Sequence, residues 1–149
     1  MNEFEEKLND LLVDVFNQIL RFEEDSIKSA FETSVTVTEA HILDVIGKQT
    51  EKITVSEIAS ILNITVPTIT VALKKLEKKE FISKTPSADD GRRFMIGLTK
   101  TGEKVYRAHD LFHKKMVRDI SRNLSEAEKD ALLSAVNKLL DFFRKKVQR

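Results

Sequence analysis

Two sets of side chains in this sequence have the types and spacing to do chemistry. The first is built on histidine. His109 and His113 are four residues apart, so on a helix both imidazoles share a face. His41 falls in a second helical stretch, and Glu23 and Glu24 fall in a third. Three imidazole nitrogens and one carboxylate oxygen make a tetrahedral donor set of the kind zinc accepts. Without a metal, the same groups form a polar cluster that changes charge near neutral pH. The second set is Thr65, Pro67, Thr68, Thr70, Val71, Lys74, Lys75 and Lys78, followed by Asp90, Arg92 and Arg93. Threonine hydroxyls reach base edges or phosphates, Val71 and Pro67 suit thymine methyls, and the cations suit phosphate. No Arg, Asn or Gln on the first of these stretches offers a bidentate base contact, so methyl contacts and DNA shape carry more weight.

Composition narrows the classes. The chain has 149 residues, no Cys, 4 Gly and 2 Pro. Disulfides, thiolate metal sites and cysteine nucleophiles are excluded. So few turn formers argue against an all-β fold and against a Gly-rich nucleotide cradle. No Gly-x-Ser-x-Gly, P-loop or His-Glu-x-x-His motif is present, and an enzyme is not expected. No apolar run approaches 18 residues and the first ten residues are polar and acidic, so no membrane partner is expected and the cytoplasm is the expected compartment. The net charge of +1 hides a division. Residues 1–60 hold 5 Lys/Arg against 13 Asp/Glu, and residues 61–149 hold 20 against 11. An acidic front and a basic back point to a polyanion on one face.

Helices must position both sets. From Phe4 to about Ala30, Leu8, Leu11, Leu12, Val15, Ile19 and Phe22 recur at steps of three and four, an amphipathic stripe. Thr38 is read as the cap of a second helix ending near Gly47, and Thr54 or Ser56 as the start of a third. Asn63-Ile64 is a tight corner, and Thr65 caps a fourth helix with Pro67 in its first turn. Ala59 is small enough for the third and fourth helices to approach closely. Ile58, Leu62, Ile69, Leu73 and Leu76 fill the wedge between them, which is a helix-turn-helix. Phe81–Thr85 and Arg93–Leu98 read as strands around the turn Pro86-Ser87-Ala88-Asp89-Asp90-Gly91. A helix-turn-helix followed by a hairpin with arginines at its tip is a winged helix, and a wing arginine has the reach for a minor groove. A fifth helix runs from Thr99 to about Ile120. Ser125 with Glu128 opens a sixth, carrying Leu132, Val136, Leu139 and Phe143.

Asp90-Gly91-Arg92-Arg93, followed by Leu98-Thr99-Lys100-Thr101-Gly102, resembles the wing signature of the MarR family of bacterial transcriptional regulators. The resemblance covers nearly the whole chain and is strongest from Thr54 to Gly102. It implies a mainly α fold with a small β-hairpin wing, dimerising through its N- and C-terminal helices. It implies one MarR-type domain over 1–149, with a DNA-binding lobe at 35–102 and a helical dimerisation region at 1–34 and 103–149. Phe4, Leu8, Leu11, Leu12, Leu139, Leu140, Phe142 and Phe143 are the expected seam. By the same pattern Asp90 and Arg92 are an acid–base pair and Arg92 enters the minor groove. Glu80 departs from the family's usual Gly, which leaves the end of the recognition helix without its standard cap.

Glu39–Lys48 and Phe112–Val117 are similar to the fatty-acid-synthesis repressor branch. That likeness implies a homodimeric repressor of duplex operator DNA, with acyl chains carried on acyl carrier protein as corepressor. Phe16, Leu20, Phe31, Ile42 and Phe112 are the candidate pocket. The zinc-uptake branch is the alternative, with Glu24, His41, His109 and His113 at its ligand positions. No cofactor is required by either reading; zinc or a fatty-acyl group is the effector. A winged-helix protein-interaction module is the third possibility.

Overall fold

The computed structural model of the chain describes residues 1–30 and 35–147. Six helices and three short strands follow in order. They are α1 (Glu3–Ala30), α2 (Val37–Gly47), β1 (Ile53–Thr54), α3 (Val55–Leu62), α4 (Val66–Lys78), β2 (Ile82–Pro86), β3 (Phe94–Leu98), α5 (Lys100–Arg122) and α6 (Glu126–Val147). The fold is therefore mainly helical with a small antiparallel sheet, as the sequence implies. Compact packing divides the chain into Met1–Phe112 and His113–Arg149. Among the described residues no single helix is long and apolar enough to cross a membrane.

Capping sets the boundaries. The second helix starts two residues before the expected Thr38. Thr36 is its N-cap, with Glu39 reaching back to the Thr36 N–H in a capping box. Thr54 with Glu57 opens α3 by the same device. Thr65 caps α4, and Ser125 with Glu128 caps α6. Asn63 ends α3 at φ 53, a left-handed position that Asn tolerates. The chain then bends by 113° into α4, within the range of a helix-turn-helix.

The core of the first unit is apolar and closed. Ile42, Leu43, Ile58, Ile69, Leu73, Leu76 and Ile96 are all at most 1% exposed. Each such side chain contributes roughly 1.5–3 kcal/mol relative to exposure. β3 is the central strand, paired with β1 through Ile53–Ile96 and with β2 through Ile82–Leu98 to Pro86–Phe94. The two-residue β1 carries no sequence signal of its own and extends the hairpin into a three-stranded sheet.

The end of α4 answers the question raised by Glu80. Phe81 donates its N–H to Leu76 O and Glu80 donates to Glu77 O, which is the Schellman pattern. Glu80 occupies its left-handed position at φ 61. Phe81 and Leu76, at 2% and 0% exposure, supply the accompanying apolar contact. The standard cap thus forms without glycine, at the cost of strain at Glu80. Thr99 then ties this corner to α5. Its hydroxyl donates to Glu80 O at 2.6 Å, and its N–H donates to Phe81 O at 3.1 Å. Gly102 packs so closely on Phe81 O that a Cβ there would collide with it. This explains the Thr99-x-x-Gly102 motif physically.

Within the second unit, α6 leaves Leu132, Leu133, Val136, Leu140, Phe142 and Phe143 exposed. Phe142 and Phe143 stack edge to face at 5.3 Å, and the Lys146 ammonium lies 5.8 Å from the Phe142 ring centre.

Candidate nucleic-acid interface and histidine cluster

The inner face of α4 is buried through Ile69, Leu73 and Leu76, which turns the opposite face outward. Thr65, Pro67, Thr68, Val71, Lys74, Lys75 and Lys78 are exposed, and Thr70 is half-buried. The sequence-derived recognition face is therefore one continuous surface. Lys84 of β2 pairs with Glu77 of α4 at 3.0 Å, linking the wing to this helix. Between the start of α3 and the wing lies an open groove of ≈ 420 Å³, lined by Thr54, Ser56, Glu57, Arg92, Arg93 and Phe94 among others. The Glu57 carboxyl is held below its ordinary range, first by the Thr54 backbone N–H, then by its hydroxyl, with a smaller contribution from Arg93.

The wing tip departs from the implied pairing. Arg92 donates its backbone N–H to Asp90 at 3.0 Å, an Asx turn. The ion pair is instead between Asp90 and Arg93, with Nε at 3.9 Å. The turn closes through the Arg93 N–H to Asp90 O, which brings these two residues to the same side. The Arg92 guanidinium is left outside that pair and exposed.

The histidine cluster forms around Glu23 rather than Glu24. Glu23 is 2% exposed, and one of its oxygens, Oε1, faces the Nε2 atoms of His41 at 2.7 Å and of His109 at 2.5 Å. Glu24 lies one residue on, a rotation of about 100° along α1, and is exposed beside Leu20 and Arg21. The two imidazoles meet edge to face at 5.6 Å. His113 stands one turn beyond His109 along α5, where the second unit begins. Sequence reading missed Asp44, whose carboxylate lies 3.8 Å from His109 Nδ1 and which also pairs with Lys48. Its signal was available, because Asp44 is one turn from both His41 and Lys48 on α2.

Burial pushes the Asp44 carboxyl up, but the nearby His109 imidazole and the Lys48 ammonium outweigh it and hold Asp44 below its ordinary range. Burial pushes His109 down, but the carboxylates of Asp44 and Glu23 outweigh it and raise His109. Glu23, His41 and His109 bring one oxygen and two nitrogen donors together, and Asp44 stands behind His109, where an outer partner lies in metal sites. The donor set fits a divalent cation such as zinc.

Among the described candidate acyl-pocket residues, Phe16 is 62% exposed on α1, whereas Ile42 is wholly buried in the core. Leu20 borders a polar groove with Asp14, Asn17 and Gln18. Phe112 packs edge to face on Phe22 at 5.0 Å. Phe31 lies outside the described residues.

Sequence reasoning also missed the ion pair of Glu39 with Lys79. Glu39 is 4% exposed and receives the Lys79 ammonium on both oxygens, at 2.8 and 2.9 Å. It anchors the residue capping α4 to the first turn of α2.

Comparison with known proteins gives this geometry relatives. A sequence model described as the MarR family matches residues 35–94. FabT of Streptococcus pneumoniae, solved in complex with DNA, is 32% identical and superposes over 95% of this chain and 98% of that one, with a TM-score of 0.90. The HTH-type transcriptional regulator SarZ of Staphylococcus saprophyticus is 30% identical over 109 residues, covering 72% of this chain and 74% of its own. The transcriptional regulator AdcR of Streptococcus pyogenes is 26% identical over 99% of both chains. The chain spans about half the length, 55% and 50%, of two regulators from Bacillus subtilis that it also matches. SarZ, AdcR and the two Bacillus subtilis relatives are named as transcriptional regulators. With its helix-turn-helix, its wing and the Thr99-x-x-Gly102 junction in place, the chain belongs to the MarR family.

Proposed function

We propose that the chain is a homodimeric transcriptional repressor that binds duplex DNA in a sequence-specific way. The observation that carries this reading is α4: its apolar face is consumed by the core, while its lysine- and threonine-bearing face stands in solvent beside a hairpin tipped with Arg92 and Arg93. Residues 35–102 are the DNA-binding lobe, and 1–34 with 103–149 are the dimerisation region. Exposed Phe4, Leu11 and Leu12 on α1, and exposed Leu140, Phe142 and Phe143 on α6, support a second copy as the partner. The acidic first turn of α1 and the basic last turn of α6 add charge complementarity. In the dimer, two copies of α4 enter successive major grooves about one helical turn apart, and the wings hold adjacent minor grooves. The test is a salt titration of duplex affinity, which falls steeply as bound counterions are released. Arg92→Ala weakens binding without altering the thermal melt; unchanged affinity at moderate salt removes the wing from the interface.

A second reading concerns the effector. Glu23, His41 and His109 favour a divalent cation, zinc by donor type, over an acyl chain. Native mass spectrometry with and without chelator separates the two: a chelator-sensitive metal adduct supports the cation, and a retained lipid or a complex with acylated acyl carrier protein supports the acyl group.

A further inference from the structure

We propose that α4 reads thymine methyl groups, and that Val71, with Val66, Pro67 and the methyl of Thr70, sets this preference. The inference rests on the DNA-binding reading and names the base chemistry it selects. The helix is divided along its length. From Val66 to Leu73 it holds no charged residue, no Asn and no Gln, and its lysines begin at Lys74. The N-terminal half therefore lacks the groups that make bidentate contacts with guanine or adenine.

Two of the three threonine hydroxyl protons of that stretch are spent within the helix and its cap. Thr70 donates its proton to Val66 O at 2.8 Å, so it has none left for a base acceptor. Thr65 and Thr68 bond each other at 2.8 Å, and Thr65 also receives the Thr68 N–H. What remains outward is mostly methyl surface, with one hydroxyl proton of the Thr65–Thr68 pair. Val66 and Val71 are 44% and 55% exposed, a large exposure for valine on a helix whose other face is fully packed. Val66 with Thr70, and Pro67 with Val71, are i,i+4 pairs that form two adjacent rows on one face. In a major groove the one apolar feature of a base edge is the C5-methyl of thymine. Burying that methyl against these rows removes apolar surface from water, while Lys74, Lys75 and Lys78 hold phosphate regardless of sequence.

The test compares three duplexes of equal length at one fixed low salt concentration: alternating dA–dT, alternating dA–dU and alternating dG–dC. Uracil differs from thymine only by the missing methyl. The full-length protein binds dA–dT tighter than dA–dU by on the order of tenfold, since each thymine methyl buried is worth about fourfold in affinity. Val71→Ala, at an exposed position that cannot cost the core, shrinks this ratio towards one. Lys74→Ala weakens all three duplexes alike and preserves it. Equal affinity of the native protein for dA–dT and dA–dU overturns the inference, and so does a uracil penalty that persists undiminished in Val71→Ala. Failure to bind any of the three duplexes is a different result and overturns the DNA-binding reading itself.

Discussion

Helices α1 and α4 are both amphipathic, yet they end in opposite situations. Of the 13 residues of α4, three are buried in an unbroken inner stripe, Thr70 and Ala72 are half-buried, and the rest are exposed. Of the 28 residues of α1, the described ones buried are Glu23 and Ile27, while Phe4, Leu11, Leu12, Val13, Val15, Phe16, Ile19 and Phe22 are exposed. One helix is stabilised by its own lobe; the other carries apolar surface that the lobe does not cover. An amphipathic pattern therefore reports that a face wants burial, and packing decides whether the same chain supplies it.

The sharpest way to break this contrast is to truncate one leucine on each helix. Leu73→Ala costs about 2–5 kcal/mol of lobe stability in urea unfolding, whereas Leu11→Ala leaves the unfolding of the lobe unchanged and shifts sedimentation towards monomer. A large loss of lobe stability from Leu11→Ala would erase the distinction. Next in size is the polar anchor between α2 and the end of α4. Glu39→Gln keeps the shape and removes the charge opposite Lys79, and lowers stability by about 2 kcal/mol, read from thermal melts. The effect is local to the lobe, and Lys79→Met in the same background adds little more.

The third prediction concerns the polar cluster around Glu23 of α1, where His109 of α5 also faces Asp44 of α2. His109 is raised, so its contribution is fully present below its ordinary value of 6.5 and is lost as pH rises through the elevated one. Asp44 is lowered, so its contribution is present above its ordinary value of 3.8 and is lost as pH falls through the depressed one. Stability from this pair is thus greatest between those ordinary values and declines on the alkaline side. Asp44→Asn flattens that alkaline decline in melts taken across the pH range without added metal. The smallest effect is at the left-handed corner after α4. Glu80→Gly removes the strain and stabilises by about 0.5–1 kcal/mol, with the same denaturant slope.

What the sequence made legible was local. The caps at Thr54, Thr65 and Ser125 are short-range patterns, and the stripe of Ile69, Leu73 and Leu76 fixes the rotation of α4 because its opposite face is polar. The turn before Arg92 is equally local. The histidine cluster was legible in membership but wrong by one residue at Glu23. Apolar residues occur on several sides of α1, including Val13, Val15 and Phe16, so periodicity does not fix its phase. The cap falls at Thr36 rather than Thr38 because Glu39, three residues on, completes the box with Thr36. The Glu39–Lys79 pair spans forty residues, and nothing local announces it. The Asp90–Arg93 pairing depends on turn geometry that the motif alone does not specify.

One consequence follows from the junction at Phe81. The backbone leaving α4 carries hydrogen bonds from Thr99 on two successive carbonyls, and Gly102 rests directly on one of them. Gly102 interposes no side chain, so a tilt of the first turn of α5 bears directly on the start of the strand that leads into the wing.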